Sequence, residues 1–328
     1  MSARGGIDLG GTKIQAVVVD EANAVLGEER RPTPTSGGPA DVAAAMAEAL
    51  SAAATAAGVE TGDLDGIGVG SPGEIDAGAG TVAQARNLPH WEGSYPLALE
   101  LARLTGAPIA LGNDVNVATG AEAELGAGRD FDSMLGVFWG TGVGGGIVLD
   151  GRQWVGRGAG GELGHVVIRI GGRRCPCGRH GCLEAYAGRG AMEARARRLV
   201  AEEGRETRLF ALMEKHGRDR LTSGIWARAL ARDDELAREI VTEAVEALGA
   251  GVASAVNLLD VEAVIVGGGL GVKLGEPYRE RIEAAMLPHL FGDDDPPAVR
   301  LAALGDLGGA IGAALLALPG HGGERVDA

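Results

Sequence analysis

Aromatic residues make up only 3 % of this 328-residue chain. Its cores must therefore be built from Ala, Val, Leu and Ile. No run of 18 apolar residues occurs, so the sequence contains no candidate membrane-spanning helix. Basic charge is also scarce: 30 Lys and Arg stand against 45 Asp and Glu, a net charge of −15. Such a chain lacks the broad cationic face that neutralises nucleic-acid phosphates. Arg195, Arg197 and Arg198 do cluster, but acidic neighbours surround them, as on a solvated helix face. Cysteine is confined to one short segment, and three cysteines are an odd number for a disulfide framework. The opening MSARGGIDLGG enters an expected strand at once, with no targeting segment. With reduced thiols, this gives a cytoplasmic expectation.

The length allows two domains with substantial cores. Glycine is abundant, at 57 residues, and much of it is clustered at strand ends. Such clusters make tight turns or bring backbone close to a ligand. The most informative stretch is GGELGHVVIRIGGRRCPCGRHGCLE, residues 160–184. It holds Cys175, Cys177 and Cys182, with His165 ten residues before the first, and Glu162 and Glu184 at its flanks. Three thiols and an imidazole form a complete tetrahedral set for structural zinc. Unligated thiols, or one disulfide plus a free thiol, are the alternatives. The clustering within eight residues and the tight Cys175–Cys177 spacing favour the metal. A closed four-ligand site has no open position for chemistry, so catalysis must lie elsewhere.

GGIDLGGTKIQAVVVD at 5–20 is expected to form strand, turn, strand, with Asp8 ending the first strand and Gly10, Gly11, Thr12 and Lys13 forming the turn. Backbone amides of such a turn can ring a phosphate, and Lys13 adds charge. MLGVFWGTGVGGGIVLD at 134–150 repeats that design, with Gly140, Thr141 and Gly142 at its turn. Two like hairpins about 130 residues apart predict a duplicated α/β fold. Between them, a loop is expected at 31–39, a helix capped by Asp41 to Ala57, a strand at 65–70 and a turn at SPGEID. A loop at 87–91, a helix at 95–105 and a strand at 108–111 follow. Gly112-Asn113-Asp114 then opens a helix, for which Asp114 or Asn113 can serve as N-cap. Later come helices at 190–203 and from Asp233-Asp234, a strand at 261–266 ending in three glycines that include Gly268 and Gly269, a strand at 298–303, a helix at 306–318 and a loose tail from Pro319.

DLGGTK at 8–13, GVGSPGEID at 68–76, GNDVN at 112–116, GTGVGGG at 140–146, GELGH at 161–165 and CPCGRHGCLE at 175–184 together resemble the ROK family (repressor, open reading frame, kinase), in its bacterial ATP-dependent glucokinase branch. The resemblance spans Gly6 to about Leu318. It implies an actin-like (ribonuclease H-like) duplicated α/β fold, with two domains flanking a cleft and a zinc-binding loop. The domains would be 1–112 plus 307–328, and 113–306 with the zinc loop 165–184. By the same resemblance, Asp114 is the general base. Asn113, Glu162, His165 and Glu184, with Asp114, bind the sugar. His165 serves zinc and sugar through its two ring nitrogens, and Cys175, Cys177 and Cys182 complete the zinc set. The turns Gly10–Thr12 and Gly140–Gly142 hold phosphates, Gly268 and Gly269 the adenosine, and Asp8 stands near Mg²⁺.

The implied reaction is ATP plus glucose giving ADP and glucose 6-phosphate, a phosphoryl transfer that relies on positioning and charge neutralisation. Gln15, Glu74 and His90-Trp91, in a sugar-side loop, depart from the family pattern and bear on which sugar is taken. The alternatives are a sibling kinase for N-acetylmannosamine, N-acetylglucosamine, fructose or allose, or a non-catalytic sugar-binding regulator. A DNA-binding repressor is disfavoured, because only about five residues precede the first hairpin. A homodimer or homotetramer is implied by resemblance alone.

Overall fold

The computed structural model describes residues 2–85, 88–292 and 294–318. The chain divides into two compact units. Unit 1 comprises 1–126, 156–158 and 303–328; unit 2 comprises 127–155 and 159–302.

Unit 1 is built on β1 (Ala3–Leu9), β2 (Lys13–Asp20), β3 (Val25–Pro32), β4 (Ile67–Ser71) and β8 (Ile109–Asn113), in the order β3-β2-β1-β4-β8. β1 and β2 pair antiparallel, with Asp8 opposite Gln15 and Leu9 opposite Ile14. β1, β4 and β8 are mutually parallel. A small second sheet comprises β5 (Glu74–Asp76), β6 (Thr81–Ala83) and β7 (Ser94–Tyr95). The helices of this unit are α1 (Pro39–Ala57), α2 (Leu97–Thr105), α3 (Asp114–Glu124) and α11 (Gly308–Leu316).

Unit 2 repeats the plan. β9 (Met134–Trp139), β10 (Val143–Leu149), β11 (Arg152–Gln153), β12 (Ala263–Gly267) and β13 (Ala298–Leu301) lie in the order β11-β10-β9-β12-β13. An antiparallel hairpin again continues into two parallel strands. The duplication expected from two glycine hairpins is thus present in the strand order of each sheet. Helices α4 (Glu184–Ala187), α5 (Arg189–Glu203), α6 (Leu209–Lys215), α7 (Ser223–Leu230), α8 (Glu235–Leu259), α9 (Gly268–Leu274) and α10 (Glu276–Met286) complete the unit. α8 is buried along one face, and Asp234 caps it by accepting the Ala237 amide at 2.8 Å.

Several expectations change. Unit 1 extends past the boundary drawn at residue 112. That line would cut β8, and α3 packs on α11 of the same unit. Gly38, not Asp41, is the N-cap of α1; Asp41 sits three residues on and accepts the Gly38 amide at 2.8 Å. β3 runs into the expected loop at 31–39, because Arg31 and Pro32 pair with Ile14 and Lys13 of β2. Glu74–Asp76 of SPGEID is the strand β5 rather than turn. Lys13 is the first residue of β2, so the first turn itself is Gly10–Thr12. Trp91 does lie in a loop, as expected, but its ring is buried in the unit 1 core; its Nε1 donates to the Val82 carbonyl at 3.1 Å, and its ring meets Tyr95 edge-on. Asn87 and the tail from Pro319 lie outside the described residues.

Few aromatics mean that helices lie close on sheets. A Cβ on Gly6 would overlap the Ala310 carbonyl of α11, and one on Gly68 the Ala313 carbonyl. Neither obstacle is a flexible side chain, so the helix itself would have to move. Gly68→Ala should therefore cost about 3 kcal/mol and lower the thermal midpoint by roughly 6–12 °C, measured by differential scanning calorimetry.

Candidate functional site

In unit 1, the parallel strands β1 and β8 end side by side with β4 between them, and their ends carry the candidate groups. Asp8 is the penultimate residue of β1 and is half-buried. Burial pushes its carboxyl above the usual range, and Lys13, with Nζ at 4.0 Å, opposes this only in part. Gly309 of α11 leaves room for that carboxylate: a Cβ there would stand 2.9 Å from Asp8 Cγ. The first turn is closed by the Gly10 amide donating to the Lys13 carbonyl at 2.9 Å. The Thr33 hydroxyl donates to the Gly10 carbonyl at 2.6 Å and its amide to Thr12 at 3.3 Å. Thr33 was not singled out from the sequence, since a threonine in a Pro-Thr-rich loop carries no signal of its own.

At the β8–α3 junction, the choice between two caps resolves. Asn113 is the N-cap of α3; its Oδ1 accepts the amides of Val115 at 3.1 Å and Asn116 at 3.2 Å. Such a cap stabilises a helix by about 1 kcal/mol. Asp114 is then the first helical residue, half-buried, with Oδ1 accepting the Val115 amide at 2.9 Å. Capping and acid–base chemistry therefore need not compete for one carboxylate. The Asn113 Nδ2 amide is a donor suited to a hydroxyl.

In unit 2, the second turn is closed by the Gly140 amide donating to the Gly142 carbonyl at 3.0 Å. Glu184 opens α4 and reaches this hairpin: Oε2 accepts the Val143 amide at 3.1 Å. A Cβ on Gly142 would overlap that carboxylate. Gly268 opens α9 at φ +78°, and a Cβ there would lie 2.6 Å from the Trp139 backbone. The glycines after β12 thus permit close packing against β9, beyond any contact with a ligand.

His165, Cys175, Cys177 and Cys182 converge, with their ligand atoms all within 4.8 Å of one another. None of the cysteines is in a disulfide. Cys177 and Cys182 sulfurs are 3.7 Å apart, and His165 Nδ1 is 3.8 Å from Cys175 Sγ. A zinc tetrahedron with ~2.3 Å Zn–S and ~2.0 Å Zn–N bonds has edges of about 3.5–3.8 Å. The donor set fits the metal in chemistry, and the Cys177–Cys182 and His165–Cys175 separations lie close to such edges. His165 Nδ1 faces the thiols, while Nε2 lies 3.9 Å from Glu162 Oε2. Glu184 Oε1 lies 3.9 Å from Cys175 Sγ. The knuckle is tied to α8 by Arg173, which pairs with Glu243 and stacks 4.7 Å over the Tyr186 ring. The Tyr186 hydroxyl accepts the Arg173 amide at 3.0 Å.

Burial pushes the Cys175 thiol up to about 12. Burial also raises Cys177, but hydrogen bonds from the Arg179 amide and the neighbouring thiols outweigh it, and the net shift is downward. A metal must displace the Cys175 proton. Zinc affinity of the metal-free protein should therefore rise with pH by ~tenfold per unit for each proton released, and Cys177→Ala should lower zinc content well below one per chain by elemental analysis. Asp8 gives a second test. Its raised folded value means that the native state holds the proton more tightly, so stability falls as pH rises from the unfolded value of 3.8 through the folded one. Asp8→Asn should then melt higher than the parent at pH 7, in calorimetric scans across pH.

The ROK family profile matches residues 4–319. A Thermotoga maritima protein named glucokinase is 35% identical over 296 residues, covering 88% of this chain and 89% of the relative. The solved ROK hexokinase of Thermus thermophilus is 37% identical, covers 95% of this chain and 97% of its own, and superposes with a TM-score of 0.76. A ROK family glucokinase from Streptomyces griseus, solved with glucose and AMPPNP, is 31% identical, covers 96% and 99%, and has a TM-score of 0.81. On a profile spanning nearly its whole length and relatives this similar, the chain belongs to the ROK family and has its actin-like sugar kinase fold.

Proposed function

We propose that this protein is an ATP-dependent kinase that transfers the γ-phosphoryl group of ATP to the 6-hydroxyl of glucose. The observation that carries this reading is similarity over nearly the full chain to relatives named glucokinase, one of them solved with glucose and an ATP analogue. The geometry supports it in both units. Asp114 accepts the proton of the 6-hydroxyl as O6 attacks the γ-phosphorus, and ADP departs. Asn113 holds α3 in place and offers its amide to the sugar. The Gly10–Thr12 turn and Lys13 bind phosphate oxygens. Asp8 would stand near the divalent ion, which would supply charge neutralisation on the transferring group.

Unit 2 contributes Glu162, His165 and Glu184 as acceptors of sugar hydroxyl hydrogens. His165 Nδ1 and the thiols of Cys175, Cys177 and Cys182 would hold zinc, which clamps the knuckle and takes no part in the transfer. His165 Nε2 is then the atom turned to the sugar. The Gly140–Gly142 turn binds the other end of the phosphate chain, and Gly268 and Gly269 border the adenosine.

Asp114→Ala should retain glucose binding by calorimetry, while kcat falls by about 10²–10⁴-fold; near-normal turnover would remove Asp114 from the mechanism. A coupled assay with ATP over glucose, N-acetylglucosamine, N-acetylmannosamine, fructose and allose should give the highest kcat/KM for glucose. Phosphorylation of none of them would overturn the kinase reading.

A further inference from the structure

The two glycine hairpins are alike in backbone but not in charge. The first carries Lys13 at its edge, whereas the second runs Gly140, Thr141, Gly142, Val143 with no cation of its own. A turn that is to hold one end of a polyphosphate chain needs positive charge nearby as well as amides.

Arg189 meets that need. It is the first residue of α5, and its amide donates to the Gly140 carbonyl at 3.1 Å, while the Gly190 amide donates to the Thr141 carbonyl at 3.1 Å. The start of α5 is thus stitched to the second turn. The guanidinium reaches the same place: Nη2 donates to Thr141 Oγ1 at 2.9 Å and Nη1 to Ser223 Oγ at 3.0 Å. Ser223 Oγ in turn is 3.7 Å from where a Cβ on Gly269 would stand. Arg189 therefore bridges the turn read as phosphate-binding and the glycines read as bordering adenosine.

Its surroundings suit an anion. Among the described residues, no carboxylate lies within 4.0 Å of the guanidinium. The nearby Glu193 is engaged by Arg197 and by the Leu221 amide at 2.8 Å. Burial disfavours the charge on Arg189, Glu193 favours it and Arg220 opposes it. Among the described residues, the guanidinium of this half-buried cation bonds to two hydroxyls and to no carboxylate, where such groups ordinarily have a paired counter-charge.

We propose that Arg189 is a nucleotide-binding residue, supplying to the second turn the positive charge that Lys13 supplies to the first, and that its ligand is the phosphate chain of a nucleoside triphosphate. This rests on the kinase reading above. The structural alternative is that Arg189 merely ties Thr141 to Ser223.

Arg189→Lys keeps the charge, while Arg189→Gln keeps a hydrogen-bonding side chain without it. The test is direct binding of ATP and of ADP to the full-length protein by calorimetry, with ATP-dependence kinetics at saturating glucose. For Arg189→Gln, ATP affinity should fall at least about tenfold and KM for ATP should rise in step, with KM for glucose within about twofold of the parent. Arg189→Lys should recover much of the loss. Equal behaviour of the Gln and Lys variants, or ATP affinity in Arg189→Gln within twofold of the parent while its thermal midpoint is unchanged, would overturn the proposal. A parent protein that binds ATP but phosphorylates no sugar would instead defeat the kinase reading and leave the binding comparison in force.

Discussion

Close approach of backbone to backbone is the constraint on which unit 1 depends. Gly6 of β1 and Gly68 of β4 lie directly under carbonyl oxygens of α11, with no side chain between. The same spacing recurs where Gly27 of β3 meets the Ala53 carbonyl of α1. A chain this poor in aromatics gains little from filling wide gaps, and gains instead by closing them. The functional consequence is local. α11 brings Gly309 against Asp8, so the carboxylate at the end of β1 is seated by the same packing that holds the sheet. Its burial is a cost in stability that the fold accepts in order to keep a carboxylate at that position.

Unit 2 uses a different device for a similar end. Glu184 joins three features within one side chain: the Val143 amide of the second hairpin, the thiol of Cys175 and the start of α4. A Cβ on Gly142 would push that carboxylate away from the Val143 amide. The cysteine cluster thus does more than close a loop. It also stands beside Glu184, the acceptor at the second turn, and its histidine stands beside Glu162. Arg173 and Tyr186 then lock the knuckle to α8.

Much of this was legible in the sequence because it depended on local chemistry. The hairpins, the duplication and the convergence of His165 with three cysteines all follow from residue type and spacing. What escaped had one of two causes. Some signals were long-range: Arg189 sits in an unremarkable Gly-Arg-Gly, and only the fold places its guanidinium beside Thr141 and Ser223. Others were ambiguous by a few residues. Asp41 is as good a cap as Gly38 by composition, yet acts from three residues inside α1. Trp91 does lie in the expected loop, but its composition gave no sign that the ring turns inward to the core and bonds to the Val82 carbonyl.

The β8–α3 junction divides two tasks between adjacent residues. Asn113 secures the helix, and Asp114, the residue proposed as the base, is not its N-cap. A change confined to the Asp114 side chain leaves both Asn113 capping bonds standing, and alters at the helix start the bond that Asp114 Oδ1 accepts from the Val115 amide. The start of α3 is thus held mainly by a residue other than the carboxylate proposed for the transfer.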